Sequence, residues 1–239
     1  MNKNKNMPLI GISGKAGAGK DLVGVIIQYL VHTEGIINME YWEKFKSNTP
    51  FNQIVFSKYV IKKFADKLKT LVCLLIGYTR EQLEDRVLKE KELGEEWWYY
   101  KGRNNSLIPY NKNSKRNPED LIKPTPRLLL QLIGTNLFRE QLHPNTWVNA
   151  SFANYLNNAW IFTDVRFPNE LEAIKKHNGI TIRINRGLVE RTGKMIQEPE
   201  HISETALDNA KFDYVIENDG TIEKLIEQVK KILIKEEII

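Results

Sequence analysis

Gly14-Lys15-Ala16-Gly17-Ala18-Gly19-Lys20-Asp21 is the stretch that decides the fold. Glycine, four residues, then Gly-Lys is the spacing of a phosphate-binding P-loop. Its surroundings agree. Residues 8–13 (Pro-Leu-Ile-Gly-Ile-Ser) read as a short buried strand, and residues 21–31 carry Leu22, Val23, Ile26, Ile27 and Leu30 at helical spacing. The glycines let successive backbone N–H groups converge on phosphate oxygens. The helix start adds its positive end. Lys20 then reaches the terminal phosphates and offsets charge on a moving phosphoryl group. Asp21 departs from the common pattern, which has Ser or Thr there. Two readings stay open for it: a ligand to magnesium, direct or through water, or an acid that complements the helix dipole.

Working outward, residues 60–61 and 64–65 suggest a second strand, and residues 66–76 a second helix. From 92 to 124 the texture changes to Trp97-Trp98-Tyr99-Tyr100 and then a stretch dense in Asn, Lys, Ser and Pro, which predicts a lid-like insertion. Residues 127–142 read as one helix with Leu128, Leu129, Leu132, Ile133 and Leu137 available for burial. Strand 159–164 ends on Asp164, helix 169–177 stops at Gly179, strands 179–184 and 214–216 follow, and helix 222–234 closes the chain. Strands alternating with helices predict a mostly parallel sheet. Residues 1–6 read as a disordered tail and 7–239 as one α/β domain with an insertion at about 92–124.

The single cysteine, Cys73, excludes an internal disulfide and a cysteine-clustered zinc site. A net charge of +5 suits an anionic ligand but is too small to argue for nucleic acid. No apolar run approaches the ~20 residues of a membrane helix. The polar start lacks a signal-peptide core, so a cytoplasmic protein is expected. His32, His143, His177 and His201 are scattered and read as structural.

Several blocks in order resemble the bacteriophage-type deoxynucleoside monophosphate kinases, within the P-loop nucleoside monophosphate kinases. They are residues 14–21 with Asp after Lys, Phe64-Ala65-Asp66-Lys67-Leu68-Lys69, residues 80–86 with Lys89-Glu90, and Thr125-Pro126-Arg127 through Gly134-Thr135. His143-Pro144-Asn145-Thr146-Trp147-Val148, Asp164-Val165-Arg166-Phe167-Pro168-Asn169-Glu170, His201-Ile202-Ser203-Glu204 and Asn218-Asp219-Gly220-Thr221 complete the set. Residues 92–123 are poorly covered.

The resemblance implies a three-layer P-loop kinase fold that moves the γ-phosphoryl group of ATP to a deoxynucleoside monophosphate, with magnesium. It implies ATP phosphates on Lys15, Ala16, Gly17, Ala18, Gly19, Lys20 and Asp21, with Asn218 and Asp219 bordering adenine. It implies acceptor contacts at Lys67, Asp85, Arg127, Gln131, Gly134, Thr135, Trp147, Asp164 and Arg166. Lid arginines would come from Arg183, Arg186 and Arg191, with Arg183 and Arg186, like Arg127, counted as catalytic. The residues themselves support part of this. Arg127 and Gln131, four apart, share a helical face; Gly134 permits a close backbone approach. Trp147 is either a stacking platform or core, and Asp164-Val165-Arg166 is either a ligand edge or a turn with its cap. A phosphomevalonate kinase-like enzyme and a non-kinase nucleotide-binding ATPase module are the competing functions. No nucleic-acid or membrane partner is expected; a homodimer is left open.

Overall fold

A computed structural model of the chain describes residues 7–47, 58–103, 106–156, 158–186 and 202–239. The elements run β1 (Ile10–Gly14), α1 (Lys20–His32), α2 (Met39–Ser47), β2 (Val60–Lys62), α3 (Asp66–Ile76), α4 (Arg80–Glu84) and α5 (Arg86–Lys89). Then come β3 (Tyr99–Lys101), β4 (Leu107–Pro109), β5 (Leu121–Ile122), α6 (Pro126–Gln131), a π-helix (Leu132–Leu142) and α7 (Thr146–Phe152). The chain ends with β6 (Trp160–Val165), α8 (Pro168–Lys176), β7 (Ile180–Asn185), α9 (Ile202–Thr205), β8 (Tyr214–Glu217) and α10 (Ile222–Lys235). They group into two compact units, Met1–Phe64 with Ser151–Ile239, and Ala65–Ala150.

The first unit is a five-stranded sheet in the order β2-β6-β1-β7-β8, parallel at every pairing. The mostly parallel sheet expected from the alternating pattern is thus present. β1 is central, with Ile10 facing Ile161 on one side and Ile180 on the other. Strand alternation sends Ile10, Ile12, Ile161, Ile182 and Ile184 into the core under α1 and α10. Gly11 turns to α8 instead; a Cβ there would lie 2.2 Å from Ile174 Cδ1, so α8 can approach only because the side chain is absent. α1 is buried on nearly every face because α2 covers it too: Trp42 and Phe45 meet Tyr29 edge-on at 5.3 and 5.4 Å. α10 buries only Leu225, Ile226, Val229, Ile232 and Leu233, the stripe its sequence predicts.

β2 ends at Lys62, short of the expected Phe64-Ala65. Phe64 is instead stacked on Phe162 with centroids 4.2 Å apart, and its N–H donates to Asp164.

The second unit packs α3, α6 and α7 around Leu68, Val72, Leu83, Leu93, Leu129 and Trp147. The helix expected over 127–142 changes winding at Leu132, and His143 N–H closes the π-helix on Phe138 carbonyl. Wider turns rotate the face, so Leu137, expected to be buried, is 49% exposed. The insertion is an antiparallel sheet, β4-β3-β5. Trp98 anchors it: its indole N–H donates to Leu93 carbonyl at 2.9 Å, Tyr110 meets it edge-on, and Lys123 Nζ lies 4.3 Å over the ring. Among the described residues no helix is long and apolar enough to cross a membrane.

Candidate active site

β1 delivers the chain into the loop, and three glycines there have positive φ: 157° at Gly14, 79° at Gly17 and 98° at Gly19. These values exclude most side chains. Gly19 is doubly constrained, because a Cβ would lie 2.7 Å from Asn218 Nδ2. That amide donates to Ala18 carbonyl at 2.9 Å and so braces the loop. Ala18 N–H closes a turn on Lys15 carbonyl, and Val23 N–H on Gly19 carbonyl starts α1. Lys20 Nζ curls back to donate to Gly14 and Lys15 carbonyls at 2.7 and 2.8 Å, which holds the ammonium against the loop. Charge-assisted bonds of this kind are among the stronger ones.

Further cations approach the loop. Arg186 donates to Gly17 carbonyl at 3.1 Å. Arg183 is held by Ser13 hydroxyl and by Asp208, each at 3.1 Å, and Asp208 also pairs with Lys15 at 2.9 Å. The Lys15 hydrogen bond, aided by Arg183, keeps the Asp208 carboxyl below its usual range. Asp219 points elsewhere, to Lys224 at 2.9 Å. Arg191 and His201 lie outside the described residues.

Asp21 has two partners that sequence reading missed. Thr163 hydroxyl donates to it at 2.6 Å, and Lys63 Nζ lies 3.0 Å from Oδ1 and 3.1 Å from Oδ2. Thr163 stands beside Asp164 on β6, so alternation puts their side chains on opposite faces. Asp164 accordingly turns away from the loop face and accepts Phe64 N–H at 2.8 Å. Glu170, also missed, is buried and accepts Arg166 and Phe167 N–H groups, fixing the start of α8. A Glu three residues after a turn position is a readable capping signal.

In the second unit Thr125 caps α6, with its hydroxyl accepting from Leu128 N–H, and sets Arg127 and Gln131 one turn apart. Arg127 is paired with Glu90. Asp85 serves as the N-cap of α5, accepting from Val87 and Leu88 N–H at 2.9 and 2.8 Å. Lys67 is exposed and Thr135 half-buried. Trp147 is 5% exposed, packs on Phe138 with centroids 5.0 Å apart and donates its indole N–H to Gly134 carbonyl at 2.8 Å. Of its two readings the structure favours the core. The close approach at Gly134 is made by Leu68, whose Cδ2 would be 2.6 Å from an added Cβ. Three histidines have local partners: His32 with Tyr41, His143 with Asn145 N–H, His177 stacked on Phe152.

Glu84 accepts from Lys69 at 2.6 Å and from Arg80 at 3.1 Å, while Arg80 reaches Asp66 at 2.6 Å. Burial pushes the Glu84 carboxyl up, but the Lys69 bond and charge, then Arg80, outweigh it and hold it at about 2. A carboxylate depressed in the folded state stabilises above its ordinary pKa of 4.5 and loses that contribution as pH falls toward about 2. Acid unfolding followed by circular dichroism should therefore show Glu84→Gln less stable than wild type at pH 7, with the gap closing across that window. A gap that stays constant down to pH 2.5 would contradict the depressed carboxyl.

The sequence profile of the deoxynucleotide monophosphate kinases matches residues 108–229, just over half of the chain. The chain belongs to the deoxynucleotide monophosphate kinase family. It is 26% identical over 233 residues to the deoxynucleoside-5'-monophosphate kinase of Escherichia phage T5, covering 83% of this chain and 84% of that protein. It is 30% identical over 113 residues to the deoxynucleotide monophosphate kinase of Escherichia phage RB69, covering 45% and 44%. Membership in this kinase family favours a nucleotide acceptor over the phosphomevalonate and non-kinase alternatives.

Proposed function

We propose that this kinase folds and works as a P-loop enzyme, transferring the γ-phosphoryl group of ATP to a deoxynucleoside 5'-monophosphate to give ADP and the diphosphate. The observation that carries the proposal is the loop itself: three positive-φ glycines, a helix start and the Lys20 ammonium concentrated on one turn of backbone. Such a turn binds phosphate by geometry and charge together. Lys15, Ala16, Gly17, Ala18, Gly19, Lys20 and Asp21 are assigned to the donor phosphates. Asn218 braces the loop, and Arg183 and Arg186 supply cations beside it.

The acceptor is assigned to Arg127, Gln131 and Thr135, with Lys67 at the exposed start of α3; Arg166 and Asp164 keep acceptor-directed roles. Asp85, Gly134 and Trp147 serve the same end by holding α5 and the π-helix in shape. Magnesium fits the donor chemistry beside the loop. Asp21 and Thr163 offer only oxygens, which hard cations prefer. A bound magnesium would neutralise phosphate charge. Catalysis by the protein's own groups is positioning and charge neutralisation, without a covalent intermediate. We assign both units to one kinase domain acting in the cytoplasm.

The test is a screen of the common deoxynucleoside and ribonucleoside monophosphates with ATP and magnesium, following diphosphate formation. At least one deoxynucleotide should turn over, with no requirement for polynucleotide. ATP hydrolysis that ignores every monophosphate would refute the assignment.

A further inference from the structure

Ser13 on β1 stands opposite Arg183 on β7 in the parallel register, so both side chains leave the sheet on the same face. Arg183 donates to Ser13 Oγ at 3.1 Å, and Ser13 is 2% exposed. The guanidinium also donates to Asp208 Oδ1 at 3.1 Å and lies 5.8 Å from the centroid of the Phe212 ring. Asp208 follows α9; its N–H donates to Thr205 carbonyl, and Leu207 beside it is buried. The second carboxylate oxygen, Oδ2, accepts from Lys15 Nζ at 2.9 Å. Ser13, Gly14 and Lys15 are consecutive, so these contacts close a ring around the junction of β1 and the loop.

That junction carries the acceptors for Lys20, whose ammonium donates to Gly14 and Lys15 carbonyls at 2.7 and 2.8 Å. Glycine leaves the backbone at position 14 free to turn, so these carbonyls need support from outside the loop. Asp208 supplies it. Lys15 and Asp208 are 43% and 39% exposed, and an exposed ion pair adds little to folding stability. One carboxylate tied by both oxygens to two cations instead fixes geometry, since rotating it breaks both bonds. Arg183, 14% exposed and bonded to a buried hydroxyl, is the rigid end of the ring. Two cations and one carboxylate leave a net positive charge, which remains compatible with phosphate beside the loop.

We propose that Asp208 is a positioning residue for phosphoryl transfer, clamping Lys15 to Arg183 so that Gly14 and Lys15 carbonyls hold the Lys20 ammonium in place. The proposal rests on the P-loop kinase reading made above and adds a residue, distant in sequence, on which the chemistry of the loop depends. Asp208 acts through the loop and not on substrate.

The test is a double-substitution cycle in the full-length chain: wild type, Asp208→Ala, Lys15→Met and the two combined. Each is assayed for kcat and for KM of ATP, with a deoxynucleotide that the wild type phosphorylates. Asp208→Ala should lower kcat about 10- to 10²-fold, as a displaced catalytic group does, with KM for ATP rising less. Its melting temperature should stay close to wild type, because the Lys15 pair is exposed. In the Lys15→Met background the same substitution should change kcat by less than about twofold, as for two groups acting as one unit. Asp208→Glu keeps a carboxylate for both cations and should recover most of the rate.

A fall in melting temperature with unchanged kcat would make Asp208 a fold anchor and overturn the clamp. Losses in kcat that multiply across the cycle would overturn it too, by giving the two residues separate roles. Tighter ATP binding with kcat retained would mean that the carboxylate competes with phosphate for Lys15, and the clamp would again fall. If Asp208→Ala does not fold, Asp208→Asn keeps the size and one acceptor oxygen and enters the same cycle under the same criteria. Normal kinetics in Asp208→Ala would sink the clamp alone and leave the kinase reading intact. A wild type that phosphorylates no monophosphate would sink the kinase reading. Coupling between Asp208 and Lys15 in calorimetric ATP affinity would then uphold the clamp, and its absence would overturn it.

Discussion

Lys20→Ala should lower kcat by about 10²-fold or more while the chain stays folded. The ammonium is bonded to Gly14 and Lys15 carbonyls, so it sits against the loop rather than in bulk water. Charge on the phosphoryl oxygens and the leaving group shifts as the reaction proceeds, and a fixed cation there stabilises the transition state more than the bound substrate. Its removal therefore reaches kcat and not only ATP affinity. The substitution also deletes the two loop bonds, so a thermal melt must accompany the kinetics. Lys20→Arg separates the contributions: it keeps the charge but brings a wide fork where the loop accommodates a compact ammonium. Its rate should fall between wild type and Lys20→Ala. Near-normal turnover by a folded Lys20→Ala would count decisively against the loop assignment.

What the sequence made legible was local. The strand, loop and α1 could be read because an apolar run, three glycines and a helical stripe are contiguous, and α3 was read with its observed ends, Asp66–Ile76. α2 escaped notice because only Trp42 and Phe45 are buried in a charged stretch, too few to establish a period. The strands of the insertion have two or three residues each, below what alternation can reveal. The change to π winding at Leu132 leaves no trace in composition, and it moved Leu137 to the surface. Within the site the same divide holds. The cradle is one stretch of chain, whereas Asp21 meets Lys63 and Thr163 across 42 and 142 residues, through the register of β2 and β6. Asp85 shows the converse. Its capping of α5 is readable from an Asp ahead of a short helix, and stands beside the acceptor contact that the resemblance implies there.

Asp21→Asn should weaken apparent magnesium affinity and slow phosphoryl transfer with little change in folding stability. In the structure Asp21 is less a complement to the helix dipole than a carboxylate shared by Thr163 and Lys63. Its side chain is 49% exposed and that of Lys63 26%, so the ion pair contributes only about 0–1 kcal/mol. Asparagine keeps an oxygen for Thr163 and loses the charge that a divalent cation and Lys63 both favour. Thermal melting therefore distinguishes the two poorly, and the magnesium profile distinguishes them well. Lys63→Met supplies the decisive comparison. If the carboxylate serves magnesium, Lys63 competes with the metal for it, and Lys63→Met should raise apparent magnesium affinity while Asp21→Asn lowers it. If Asp21 serves only to hold Lys63, both substitutions should slow turnover alike and leave the magnesium dependence where it was. Rate against free magnesium for the two variants, with wild type alongside, reads out the difference as opposite or equal shifts. Magnesium profiles unchanged in both would remove the metal role from Asp21 and leave it as the residue that orients Lys63.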